Sequence, residues 1–172
     1  VETLVSRGCE ITPILSAHAA TLDTRFGAAD MWRNRLCEIT GREVIDSIPA
    51  AEPIGPKKLF DILIVAPCTG NTLAKLAHGV TDTTVTMAVK SHLRGEKPVV
   101  LAVSTNDALS GSAANLGTLL NLKHYFFVPM RQDAPFAKPR SLVADMGRIP
   151  ETIGAALENR QLQPIFLAPG EH

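Results

Sequence analysis

Between residues 66 and 72 the chain reads APCTGNT, a cluster in which Thr69, Asn71 and Thr72 offer hydroxyl and amide groups and Cys68 a thiol. Their chemistry is hydrogen bonding to a ligand rather than proton transfer, because the hydroxyls and the amide do not titrate near neutral pH. Two more stretches end in small polar residues. PVVLAVS over 98–104 closes on Ser104, with Thr105, Asn106 and Asp107 behind it, and EITPIL over 10–15 closes on Ser16, Ala17 and His18. Each group also has a structural reading. Thr, Asn and Ser cap helices, and a surface histidine in a loop is the ordinary use of His18. A thiol at a helix start is activated by the dipole, whereas the same thiol packed as a small apolar residue is inert.

These residues make a site only if the elements around them converge. Ile62, Leu63, Ile64 and Val65 form a short apolar run of the kind buried on both faces of a sheet. Leu73, Leu76, Ala77 and Val80 recur at i, i+3, i+4 and i+7, the inward stripe of a helix, with Gly79 near its end. Strand, polar turn and helix in that order leave backbone N–H groups unpaired at the turn, where anions and other polar ligand atoms collect.

Along the rest of the chain, 10–15 reads as a strand, with Pro13 restricting it to an edge or a bulge. A helix is expected over about 28–40, with Met31, Leu36 and Ile39 inward and Gly41 as its stop, followed by an irregular, proline-rich connection over 49–56. A helix over about 84–94 precedes the strand at 98–104. A helix over 113–122, with Leu116, Leu119 and Leu120 inward, leads to a strand at 125–128. The segment 129–141 is rich in proline and charge, which predicts a long functional or interacting loop. Pro150 suits the first turn of a last helix. The alternation implies an α/β domain over 1–160, a parallel sheet in three layers with ligands beyond the C-terminal strand ends, and a partly disordered tail over 161–172.

The chain has 172 residues, 45% of them apolar, and 17 basic against 17 acidic residues. That balance argues against nucleic acid or an anionic membrane as the main partner. No run approaches the roughly 20 apolar residues of a membrane span. The three cysteines are widely spaced without a CxxC pair, which points away from a zinc site or disulfide framework and towards a reducing cytoplasm.

The turn resembles the signature of a flavoprotein family that includes cysteine decarboxylases and flavin prenyltransferases. The family's Pro-Ala-Ser-Ala-Asn-Thr stands here as Pro67-Cys68-Thr69-Gly70-Asn71-Thr72, followed by Ala74-Lys75, Gly79 and Asp82. The second signature, Pro-Ala-Met-Asn, is represented only by Val103-Ser104-Thr105-Asn106. Almost the whole chain is similar to one branch, the B subunits of bacterial dipicolinate synthases, through TLDTRFG, AEPIGPK, IVAPCTGNTLAKLA, VSTNDALS and IPETIGAALENRQLQPI.

The resemblance implies a flavodoxin-like, doubly wound parallel sheet and FMN as cofactor, held by Ser16, Thr69, Asn71, Thr72, Ser104 and Asn106. It implies an oxidoreductase subunit in a homo-oligomer, paired with an A subunit that binds NAD(P). Together they form dipicolinate from a dihydrodipicolinate-type precursor in the mother cell during sporulation. The decarboxylases place a histidine a few residues before the opening strand, and Pro53 stands near that place here, so a decarboxylase of a cysteinyl substrate is the second expectation. An assembly subunit with a vestigial cleft is the third. No residue presents itself as a general base. In the family the first strand and its Gly- and Ser-rich turn grip the FMN phosphate, and nothing in this chain matches them. The expectation is a natural protein with roughly 20–30 more residues at its N-terminus, and FMN binding by this chain alone that is weaker than about micromolar.

Overall fold

The computed structural model describes residues 1–25 and 27–168. Four helices come first: α1 (Glu2–Val5), α2 (Ala17–Thr21), α3 (Ala29–Thr40) and α4 (Ile48–Ala51), the last continued by a 3₁₀ turn, Glu52–Ile54. Gly41 ends α3 in the left-handed conformation at φ 64°, which a residue without Cβ adopts at little cost.

The sheet begins at β1 (Leu63–Cys68), followed by α5 (Gly70–Ala77) and α6 (Thr84–Leu93), then β2 (Val99–Thr105), α7 (Ala113–Leu120) and β3 (Tyr125–Phe127). β1 and β3 flank β2 in parallel, with Leu63 opposite Val99 and Val99 opposite Tyr125. Alternation decides the layers. Leu63, Val65, Val99, Leu101, Val103 and Phe127 face the cluster that contains Leu73, Leu76, Val89, Leu116 and Leu119. Val100, Ala102, Phe126 and Val128 face the other way, against Ala156 of α8 (Ile149–Leu157). α6 holds despite its β-branched start because Thr83 and Thr86 form a reciprocal capping box. No helix among the described residues is long and apolar enough to cross a membrane.

The sheet is mixed rather than purely parallel. β4 (Met130–Arg131) and β5 (Leu142–Ala144) form an antiparallel pair, and β5 adds antiparallel to the end of β2, with Ser104 opposite Val143 and Thr105 opposite Leu142. The prolines and charges of 129–141 thus sit in the connection of a hairpin whose short strands are anchored by Met130, Leu142 and Ala144, all buried.

Three other segments differ from expectation. The stretch 10–15 makes no ladder. Pro13 contributes no N–H, and the segment's pairing is a single parallel bridge, Ile14 to Ile45, with Leu15 N donating to Ile45 O at 2.9 Å. α3 buries only Ala29, and Met31 is 48% exposed, because its neighbours are the small helices α1 and α2 rather than the sheet. Residues 161–168 of the tail lie against the sheet. Gln161 bonds Phe127 N and O at 2.8 Å each, and Met130 exchanges backbone bonds with Ile165 and Leu167. Residues 169–172 of that tail lie outside the described residues.

His92 is a core residue, 2% exposed, with Nε2 3.1 Å from Pro98 O. Burial lowers its pKa below the usual imidazole range, outweighing the carbonyl bond that raises it. The unfolded chain therefore takes up a proton that the folded chain resists. The stability His92 contributes is present above the ordinary histidine pKa and is lost as pH falls below it. The melting temperature should drop between about pH 7 and about pH 5, and His92→Gln should flatten that drop. Equal slopes for both proteins would contradict this assignment.

Candidate functional site

The C-terminal ends of β1 and β2 are neighbours because the two strands run parallel and in contact, with Cys68 opposite Val103. Their following residues, Thr69 to Thr72 and Ser104 to Asp107, therefore form two adjacent polar turns. The approach is closest at Gly70. A β-carbon there would stand 2.8 Å from Thr105 Oγ1, 2.9 Å from Asp107 Oδ1 and 3.0 Å from Ser112 Oγ. Glycine is what allows α5 to start against the second turn, and the space of the missing methyl is filled by that polar cluster.

Asp107 organises the second turn. Thr105 Oγ1 donates to Oδ1 at 2.6 Å and Ser112 Oγ to Oδ2 at 3.0 Å. These two bonds, Thr105's first, hold the carboxyl below its usual pKa, so it is ionised at neutral pH. A fixed negative charge thus lies against the first residue of α5. It complements the positive end of the helix dipole and disfavours an incoming anion at the same place. The site is built for neutral hydrogen-bonding atoms, which narrows the anion-attracting turn expected from the sequence.

The expected ligand-holding residues fall into different situations. Thr69 is the N-cap of α5 but makes no capping bond. Its Oγ1 lies 3.3 Å from Thr72 Oγ1. Asn71 is exposed, and its side chain has no hydrogen-bond partner among the described residues. Ser104 Oγ is buried with no partner among the described residues, an atom whose desolvation is uncompensated unless something else bonds it. Asn106 Oδ1 lies 3.5 Å from Ser141 Oγ, at the limit of a hydrogen bond. These five side chains share one end of the sheet. Ser16 does not join them through the sheet. It caps α2, accepting from Ala19 N at 3.2 Å, and its segment pairs with Ile45.

The supporting role of several residues is not visible in the sequence. Thr105, Asp107 and Ser112 are visible as polar residues, but nothing in their spacing shows that they close on Gly70. Ser141, fully buried, and Asp133, paired with Lys138 at 2.8 Å, enter through the β4–β5 connection. Lys75 reaches Asp82 at 2.8 Å, tying the last turn of α5 to the segment beyond it and holding the Asp82 carboxyl below its usual range. Cys68 is fully buried, and burial pushes its thiol up to about 12. No group of three or more metal-ligating side chains occurs among the described residues.

The profile of the family described as Flavoprotein matches residues 1–162. The chain belongs to the Flavoprotein family. Within it, the chain is 46% identical over 167 residues to the dipicolinate synthase B subunit of Bacillus subtilis, covering 97% of this chain and 84% of that one. The crystal structure of the corresponding B subunit from Bacillus halodurans superposes with a TM-score of 0.90 at 43% identity, over 98% of this chain and 87% of that one. Burkholderia xenovorans DmrB in complex with FMN shares the fold, with a TM-score of 0.62 at 18% identity over 92% of this chain and 88% of that one.

The family signature carries Ala where this flavoprotein carries Gly70. Restoring that methyl should therefore cost rather than gain stability. Gly70→Ala is expected to destabilise by about 1–3 kcal/mol, read from denaturant melts, because Thr105 is held against the helix start by Asp107. In the native protein Cys68 should react with a disulfide reagent only after unfolding, long after the exposed Cys9. Simultaneous labelling of the two thiols would show that the first turn opens.

Proposed function

We infer that this chain is the flavin-holding subunit of a dipicolinate synthase. The observation that carries the flavin reading is the Ser104 hydroxyl, buried without a partner among the described residues at the C-terminal end of a parallel strand, beside the first turn with its free amide at Asn71. The similarity to the dipicolinate synthase B subunit of Bacillus subtilis along 97% of the chain supports the choice of enzyme.

A flavin ring presents several donors and acceptors along one edge, and the two turns answer it in kind. Ser104 Oγ donates and accepts, the Asn71 amide does both, and Thr69, Thr72 and Asn106 extend the row; Ser16, the cap of α2, is assigned to the same ligand on the family resemblance alone. Apolar walls beneath the turns, including Val65 and Val103, exclude water from the side that faces the sheet. The flavin, when bound, supplies the redox chemistry, and the protein orients it and shields it. The phosphate of FMN belongs elsewhere, since the turns carry no cation and Asp107 sets a negative charge at the start of α5. The oxidoreductase acts on a dicarboxylate of the dihydrodipicolinate type, together with an A subunit that binds NAD(P), in the cytoplasm of a sporulating mother cell. Neither turn holds a histidine, and the one carboxylate, Asp107, is tied to Thr105 and Ser112 with its pKa lowered, which makes it a weak base and leaves a cysteinyl decarboxylase the poorer reading.

Two measurements test this reading. Riboflavin and FMN should bind this chain with equal affinity in a fluorescence titration. Ser104→Val should weaken both by about tenfold, the loss of one hydrogen bond in a dry site. A much tighter fit for FMN would place the phosphate in these turns and overturn the assignment. Product formation should require both this chain and the A subunit. Full activity of the A subunit alone, with no flavin uptake here, would leave an assembly role instead.

A further inference from the structure

Away from the two turns, a cleft of about 340 Å³ opens between the end of α5, the outer side of α6 and the start of β3. Tyr125 opens β3 and pairs with Val99, the first residue of β2, so the cleft lies at the N-terminal ends of the strands, opposite the flavin-facing turns. Its walls are apolar: Leu76, Val80, Val89 and Leu93, with the ring of Tyr125. Val80, expected inward from the helical repeat, is 42% exposed here because α5 stops at Ala77 and Gly79 turns the chain at φ 69°.

The polar groups of this cleft are all cations or neutral. Lys75, Lys90 and Arg94 line it and no acid does. Lys75 is neutralised by Asp82 at 2.8 Å, whereas the side chains of Lys90 and Arg94 have no ion-pair partner among the described residues. Tyr125 is half-buried, and its hydroxyl bonds to no group of the described protein. Basic residues in the last turn of α6 are accounted for by the helix dipole. The dipole does not account for an apolar hollow beside them. Like any tyrosine, Tyr125 is a donor at neutral pH, and burial, with the Cys68 thiol adding to it, pushes its pKa up to about 12.

We propose that this cleft is a second ligand site, for a small aromatic or aliphatic carboxylate whose apolar body lies on Leu76, Val89 and Leu93 and whose charge meets Lys90, Arg94 and the Tyr125 hydroxyl. An apolar floor with a few polar groups beside it is a common form of a small-molecule site, and the volume falls in the lower part of the usual range. The proposal stands independently of the flavin reading, because it uses none of the residues of the two turns.

Tyr125 is the single tyrosine of the chain, so meta-fluorotyrosine gives one fluorine NMR signal that reports this cleft. Titration of the full chain with phenylacetate should shift that signal to saturation, and phenylacetamide, the neutral analogue, should bind about tenfold more weakly. Lys90→Glu with Arg94→Glu should weaken phenylacetate by about tenfold or more while riboflavin binding is unchanged. If that variant melts early, the glutamine pair replaces it and should weaken binding in the same direction. No shift, equal binding of acid and amide, or a shift that survives charge reversal each overturn the proposal. A signal that moves on dilution without phenylacetate also overturns it, since a second copy of the chain then covers the cleft.

Discussion

β2 is the constraint on which the rest of this protein depends. Val99, Val100, Leu101, Ala102 and Val103 are all fully buried, so both faces of the strand must be covered and both of its edges paired. The helices α5, α6 and α7 cover one face and α8 the other. β1 takes one edge. The second edge is shared, with β3 along its first half and β5 along its last two residues. That division leaves room at the end of β2 for the hairpin to bring Ser141 beside Asn106. The ligand-facing end is therefore a consequence of how the central strand completes its hydrogen bonds.

The two polar turns meet because their strands are parallel neighbours, and they lock because Gly70 has no side chain. Asp107 converts the second turn from a loose loop into a clamp, accepting from Thr105 and Ser112 at once. The cost is a negative charge at the start of α5. The same clamp that shapes the turn thereby sets a negative charge beside it. What this end of the sheet offers is hydroxyls and amides above an apolar floor, groups that orient a ligand rather than react with it.

Periodicity in the chain carried the parallel strands and the helices that cover them, because burial on two faces demands unbroken apolar runs and burial on one demands a stripe. It failed where partners were short of expectation. The run at 10–15 has the composition of a strand but only Ile45 to pair with, and α3 has an apolar side with no sheet beneath it. The hairpin was hidden by its own connection, since proline and charge over ten residues outweigh two short pairs of buried residues in any reading by pattern. The packing of 161–168 was hidden too, as it comes from Gln161 gripping Phe127 across 34 positions.

By itself, then, the order of residues determined the layered α/β fold, the strand–turn–helix unit around Thr69 and Asn71, and the family to which its signature points. Those features rest on local propensity and on motif residues, which are written consecutively. Only the tertiary structure decided that Ser104 is left without a partner, that Asp107 turns the site away from anions, and that Lys90, Arg94 and Tyr125 share a cleft. Each of these depends on which distant groups come within bonding distance and which are shut away from water, and neither is encoded in spacing along the chain.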